Sequence, residues 1–180
     1  MEVNKALQAL YDRKSVRSYT GEAATEEQIA AILKAVQAAP VAMGRYEQYH
    51  VTVVSNKEFI AAADAACAQW MHKPEAHPAY GVPTIVFVSA RKPEPAMDRV
   101  IDSSCAMIAH NVALAAEALE LGACYLYGLN TAVALNEELL AALQLPDGFD
   151  LYGAVGIGVT NEELGGRTVA EDRITMNRID

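Results

Sequence analysis

The chain has 180 residues, 52% of them apolar and 21% charged, which suits one folded domain over 1–180 and excludes a disordered polymer. Its net charge of −9 argues against a general nucleic-acid or membrane-surface binder, because phosphate surfaces reward basic patches. Cys67, Cys105 and Cys124 form no CxxC pair, and an odd number of thiols fits a reducing compartment such as the cytoplasm.

Val3, Ala6, Leu7, Leu10 and Tyr11 recur at helical spacing and predict a helix over about 2–13. Arg13-Lys14-Ser15-Val16-Arg17 follows directly. The first 17 residues carry Lys5, Arg13, Lys14 and Arg17 against Glu2 and Asp12, so the remainder holds a charge of −11. A positive island in an acidic chain points to a specific anion. Thr25-Glu26-Glu27-Gln28 is a capping box, Ile29, Ile32, Leu33 and Val36 line one face of the helix it opens, and Pro40 marks the stop.

Residues 49–54 are rich in β-branched side chains and read as a strand. Asn56 caps a helix with Phe59, Ile60, Ala63, Cys67 and Trp70 on one face, and residues 72–80 form a loop. Residues 82–90 read as a buried strand with Pro83 at its start. A long helix is predicted over 102–121, apolar around most of its circumference and ended by Gly122 as a left-handed cap. His110, Asn111, Glu117 and Glu120 break its apolar run, which argues for a buried helix over a membrane span. Residues 123–127 form a short strand leading to Gly128, Asn136 caps a helix through Leu143, and Pro146-Asp147-Gly148 is a turn. A glycine-interrupted strand covers 151–159, and the tail from Asn161 carries Arg167, Arg173 and Arg178 without a helical stripe. Helices packed around one sheet follow from this order, with the strand directions open.

The basic cluster supplies two planar guanidiniums, an ammonium and a hydroxyl, groups that match phosphate oxygens. It also suits a second role, satisfying the last carbonyls of the first helix. Gly153, Gly156 and Gly158 are spaced GxxGxG with no helix after them, so they read as strand positions where another backbone or a flat ligand comes close. Cys67, His72 and His77 match no metal-ligand spacing, and no metal is expected. His110 reads as a hydrogen-bonded core residue, and Cys105 and Cys124 as small hydrophobes. The acid pairs Glu26-Glu27, Glu137-Glu138 and Glu162-Glu163 fit helix starts and solvation.

Five segments in order resemble the nitroreductase family of FMN-dependent oxidoreductases. Arg13-Lys14-Ser15-Val16-Arg17-Ser18-Tyr19 resembles its R-[RKH]-S-x-R-x-[FY] signature, and Ala38-Ala39-Pro40 its A-A-P-S helix end. Asp102 to Gly122 is similar to its long D-x-x-x-A-x-x-N helix, with Asn111 in place. Tyr125-Leu126-Tyr127-Gly128 stands where the family has W-I-G-G, and Arg167 where a basic residue returns to the phosphate. After Pro40 the chain reads Val41-Ala42-Met43-Gly44, without the side-chain amide that commonly meets the flavin ring.

The resemblance implies an α+β fold, a mixed central sheet flanked by helices with a long buried central helix, in an intertwined homodimer. It implies that Arg13, Lys14, Ser15 and Arg17 hold the FMN phosphate and ribityl chain, with Arg167 completing the anion site. Backbone at Tyr127 and Gly128 would face the reactive edge of the flavin. The loop Pro40, Val41, Ala42, Met43 and Gly44 would approach the flavin of the partner subunit. The implied reaction passes hydride from NADH or NADPH through FMN to a small acceptor such as a nitroaromatic or quinone, and the cofactor carries the chemistry. A flavin-binding or flavin-delivering protein with little turnover is the alternative.

Overall fold

The computed structural model describes residues 4–91 and 97–179. Its elements are α1 (Lys5–Asp12), α2 (Glu26–Gln37), β1 (Tyr49–Val54), α3 (Lys57–Trp70), β2 (Thr84–Arg91), α4 (Asp98–Ala118), β3 (Gly122–Tyr125), α5 (Tyr127–Ala134), α6 (Glu137–Ala142) and β4 (Phe149–Gly158). Two single turns of 3-10 helix, Ala42–Gly44 and Tyr46–Gln48, link α2 to β1. Residues 2 and 3 of the expected first helix lie outside the described residues.

Local chemistry sets the helix starts. Asn4, Thr25, Asn56 and Asn136 each accept a backbone N–H from their own first turn, and Thr25 with Gln28 completes the reciprocal capping box.

The four strands run in the order β1-β2-β4-β3, and all three ladders are antiparallel. The sheet within one chain is therefore not mixed as the resemblance implies. β2 and β3 do point the same way, joined by α4, but β4 is inserted between them, so no parallel pair forms.

Period-two alternation divides the sheet residues between two cores. Val86, Val88, Ala90, Ala123, Val155 and Ile157 meet α2 and α4 on one face. Ile85, Phe87, Cys124 and Ala154 meet α3, α5 and α6 on the other. The sheet is thus the middle of three layers.

The long helix begins four residues before the expected start and ends three before the expected finish. Its terminator is Glu120, in the left-handed region at φ 59, around which the Leu121 N–H reaches back 2.9 Å to the Ala116 carbonyl. Gly122, expected in that role, opens β3 instead. Among the described α4 residues, Ser104, Cys105, Ile108, Ala109, Val112 and Ala113 are buried, while Ser103, Ala106 and Met107 stay exposed.

Residues 126–127, expected to extend the strand, turn into α5, because Leu129, Asn130, Ala132 and Val133 bury one helical face. The glycines of β4 do mark close approaches, by side chains and, at Gly158, also by the Glu22 backbone carbonyl at 3.3 Å. A β-carbon on Gly156 would meet Val82 and Leu126, and one on Gly158 would meet Pro83. A register shift opposite Val88 and Ser89 leaves a bulge at Tyr152 in β4.

Candidate functional site

The basic cluster is fixed to the edge of β3. Arg13 ends α1, with its N–H on the Ala9 carbonyl at 3.1 Å. The Val16 N–H then bonds the Ala123 carbonyl at 2.9 Å, and the Val16 side chain is fully buried. Burying one apolar side chain in the middle of the cluster turns its polar neighbours outward on the extended backbone. The Tyr19 hydroxyl donates to the Val16 and Gly156 carbonyls at 3.2 and 3.3 Å, and burial pushes its pKa far above the ordinary phenol value. That side chain is scaffold.

The end of the chain closes over this strand edge. The Arg17 N–H donates to Glu162 Oε1 at 2.8 Å, and Lys14 Nζ stands 3.2 Å from Glu162 Oε2. The Arg167 guanidinium donates to the Arg13 carbonyl. The Arg17 guanidinium lies 6.0 Å from the ring centre of Tyr80. Arg167 is thus brought to the segment that carries Arg13, Lys14, Ser15 and Arg17.

Two carboxylates are set against this group, Glu162 and, on α4, Glu117, which feels Lys14 and Arg13. The Arg17 N–H bond, then Lys14, hold Glu162 below the usual carboxylate range. Glu162 is therefore more than a solvated acid, the role expected from sequence. It leaves the cluster with a surplus of positive charge, which suits a phosphate dianion.

A cavity of about 570 Å³ opens between α4, α5, the end of β3 and the β4 bulge, and its lining residue Tyr125 feels Arg13 of the cluster. Its walls include Cys105, Ala109, Tyr125, Tyr127, Asn130 and Gly153. A β-carbon on Gly153 would find only Ala109, at 3.9 Å, so the wall there is low and flat. Asn130 is 6% exposed, and its Oδ1 has no hydrogen-bond partner among the described residues. The Cys105 thiol is pushed up to about 12, first by burial and then by Asp102, and is chemically quiet.

Tyr125 and His110 link the cavity to the cluster. The Tyr125 hydroxyl and His110 Nδ1 are hydrogen-bonded at 3.0 Å. Burial and the positive charge of Arg13 both depress the His110 pKa. Burial raises that of Tyr125, and Arg13 opposes the rise. Sequence reasoning missed this pair, because its members sit fifteen positions apart on a helix and a strand and meet only through the α4–β3 turn.

The other predicted residues divide. Tyr127 lines the cavity and is 77% exposed. Gly128 faces α3, where a β-carbon would meet Cys67 and Trp70 at 3.4 and 3.5 Å. Residues 40–44 lie toward the start of α4, where the Ala42 N–H bonds Ser104 Oγ at 3.1 Å. Met43 and Gly44 there are left-handed, at φ 55 and 64. Two α4 residues feel the cluster, His110 through Arg13 and Glu117 through Lys14 and Arg13, six and thirteen positions further on, roughly 9 and 20 Å along the axis. Residues 40–44 thus sit about two to four helical turns from the α4 positions that face the basic cluster.

Among the described residues no helix is long and apolar enough to cross a membrane, and no three His, Cys, Asp or Glu side chains converge as metal ligands.

Comparison with known proteins agrees with this geometry. The chain is 26% identical to a provisionally named NADH dehydrogenase/NAD(P)H nitroreductase of Archaeoglobus fulgidus, over 98% of this chain and 97% of that one. A nitroreductase of Bacteroides fragilis with bound FMN superposes with a TM-score of 0.80 at 27% identity, covering 98% of this chain and all of the other. A nitroreductase of Desulfitobacterium hafniense, also with bound FMN, gives 0.83 at 23% identity, with the same coverage. The family model of the nitroreductases matches residues 10–159, from the last turns of α1 to the end of β4, and the chain belongs to the nitroreductase family.

Proposed function

We propose that this protein is an FMN-dependent oxidoreductase that passes hydride equivalents from NADH or NADPH to a small oxidised acceptor, a nitroaromatic, a quinone or a similar molecule. The observation that carries the reading is the return of Arg167 to the segment of Arg13, Lys14, Ser15 and Arg17, with a cavity large enough for a flat ring whose lining residue Tyr125 feels Arg13. FMN combines a phosphate and a flat ring, and the relatives crystallised with FMN support the assignment.

When bound, FMN supplies the hydride chemistry. The guanidiniums and Lys14 bind the phosphate and fix the ribityl chain. Tyr127 and the cavity wall orient the ring, with Gly128 setting the close packing of that wall on α3. Buried Cys105 and Ala109 keep water from one side of the cavity.

The reading includes a cytoplasmic homodimer with flavin sites at the interface. It is supported by the distance of Pro40–Gly44 from the chain's own cluster and by exposed apolar residues, Met107 on α4 and Ile174, Met176 and Ile179 in the tail. A second copy would bury these and bring residues 40–44 to the partner's flavin.

Anaerobic titration of the purified protein with FMN, then NADH and NADPH, tests the function. Bleaching of bound flavin near 450 nm is the expected result. Protein that takes up no FMN ends the proposal, and bound flavin that both nicotinamides leave oxidised reassigns it as a flavin-binding or flavin-delivering protein. Light scattering of the eluted protein tests the dimer.

A further inference from the structure

We propose that Tyr125 is the proton donor to the acceptor being reduced in the cavity between α4 and α5, and that His110 passes it a replacement proton. The inference rests on the oxidoreductase reading above and adds a catalytic residue to it.

Hydride transfer to a quinone or nitro compound leaves negative charge on an oxygen, and a proton must follow for the product to be neutral. A group positioned to give that proton accelerates the step. The cavity offers few such groups. Asp102 is exposed at its rim, open to solvent. The Cys105 thiol is buried, with nothing beside it to hold the thiolate. At Tyr152 burial, and then Asp150, Asp102 and Asp98, oppose a phenolate.

Tyr125 differs in three respects. Its ring lines the cavity. Its hydroxyl has an imidazole nitrogen 3.0 Å away. The charged group set against both residues is Arg13, whose sign favours a phenolate and disfavours an imidazolium. Burial and Arg13 thus both favour the neutral imidazole, with one N–H. When Nδ1 carries it and donates to the Tyr125 oxygen, the phenol proton is free to point into the cavity.

The proton balance then closes. FMN, when bound and reduced, would supply the hydride with its electron pair. The Tyr125 O–H bond breaks as an O–H bond forms on the acceptor. The Nδ1 proton of His110 moves to the phenolate, and Nε2 takes a proton from solvent. A quinone thereby gains two electrons and two protons in all and leaves as a hydroquinone.

The experiment uses FMN-loaded wild type, Tyr125→Phe and His110→Gln in anaerobic stopped flow. After reduction, flavin reoxidation is followed with duroquinone, which takes up protons, and with ferricyanide, which takes only electrons. We expect Tyr125→Phe to slow the duroquinone step roughly 100-fold and His110→Gln to slow it by about ten-fold. Both variants should still bind FMN, and their reaction with ferricyanide should slow far less than their reaction with duroquinone. In the cofactor-free protein, 15N NMR of the histidines should find Nδ1 of His110 protonated in wild type and Nε2 protonated in Tyr125→Phe.

Equal duroquinone rates in all three proteins overturn the proposal, as does an equal loss with both oxidants, since that marks a disturbed flavin. If wild type binds no FMN, the oxidoreductase reading falls, and this inference with it. If wild type binds and turns over FMN while Tyr125→Phe keeps its duroquinone rate, this inference alone falls.

Discussion

Val16 Cγ1 lies 2.8 Å from the place a β-carbon on Gly122 would occupy, so the plug that holds the basic cluster down depends on a glycine at the first residue of β3. Thr160 crowds the same place at 3.2 Å. Gly122→Ala must therefore displace Val16 or Thr160. We expect a loss of about 1–3 kcal/mol in stability by urea denaturation, the usual cost of overpacking. Weaker FMN binding should accompany it, because Val16 sits between Ser15 and Arg17. The double change Gly122→Ala with Val16→Ala makes room at the contact and should recover part of the stability. A Gly122→Ala protein as stable as wild type would show that the contact relaxes freely.

Arg17 is held from two sides, its N–H by Glu162 and its guanidinium over Tyr80. Removing the charged fork should cost a charge-assisted hydrogen bond to phosphate, so Arg17→Ala should bind FMN about ten-fold more weakly or worse by fluorescence titration. Arg17→Lys keeps the charge without the fork and should fall between. Riboflavin, which has no phosphate, should bind wild type and Arg17→Ala alike. Unchanged FMN affinity in Arg17→Ala would remove this residue from the site.

Glu162 is a counter-charge of the cluster, and its removal should strengthen anion binding. Glu162→Gln can still accept the Arg17 N–H through its amide oxygen while releasing Lys14. We expect FMN to bind several-fold more tightly, on the order of 1 kcal/mol at a solvent-exposed site, with a steeper dependence on salt. The pH response follows from the sign of the shift. A carboxyl depressed by the Arg17 N–H and Lys14 contributes stability that is complete above the ordinary carboxylate pKa. That contribution is lost as pH falls through the depressed value. Acid unfolding curves of Glu162→Gln should lack that limb.

Cys67, Cys105 and Cys124 are all free and buried, and burial raises each thiol pKa. A thiol reagent at pH 8 should find almost no reactive cysteine in the native protein and all three in urea. Rapid labelling of Cys124 in the native protein would show that β3 opens on the timescale of the reagent.

Much of this architecture was legible before any coordinates, and the reasons are local. The box at Thr25 and Gln28, the caps at Asn56 and Asn136 and the alternation of β2 each state their structure within a few residues. The basic cluster was legible as a charge anomaly. What escaped was decided by distant partners. Gly122 looked like a helix cap because glycine follows an apolar helix, but its need for space comes from Val16. Helix α5 was hidden because eight residues with one buried face resemble a strand followed by a turn. Glu162 and the Tyr125–His110 pair have no signal in spacing, since the fold brings their partners from elsewhere in the chain.

The insertion of β4 between β2 and β3 sets the order in which the protein can be finished. Thr20 donates its N–H to the Val159 carbonyl, Val159 donates back to Glu22, and the Thr160 hydroxyl donates to Ser18. The cluster proposed to recognise phosphate lies ahead of β1, whereas Thr160, which holds Ser18 just beyond that cluster, is made 142 positions later. A nascent chain carries the cluster long before it carries the site. Long-range closure of this kind is slow, and a ligand that binds only the closed form stabilises only completed molecules. FMN uptake would therefore report on the arrival of β4, and ribosome-bound chains stalled before residue 158 should leave the flavin in solution.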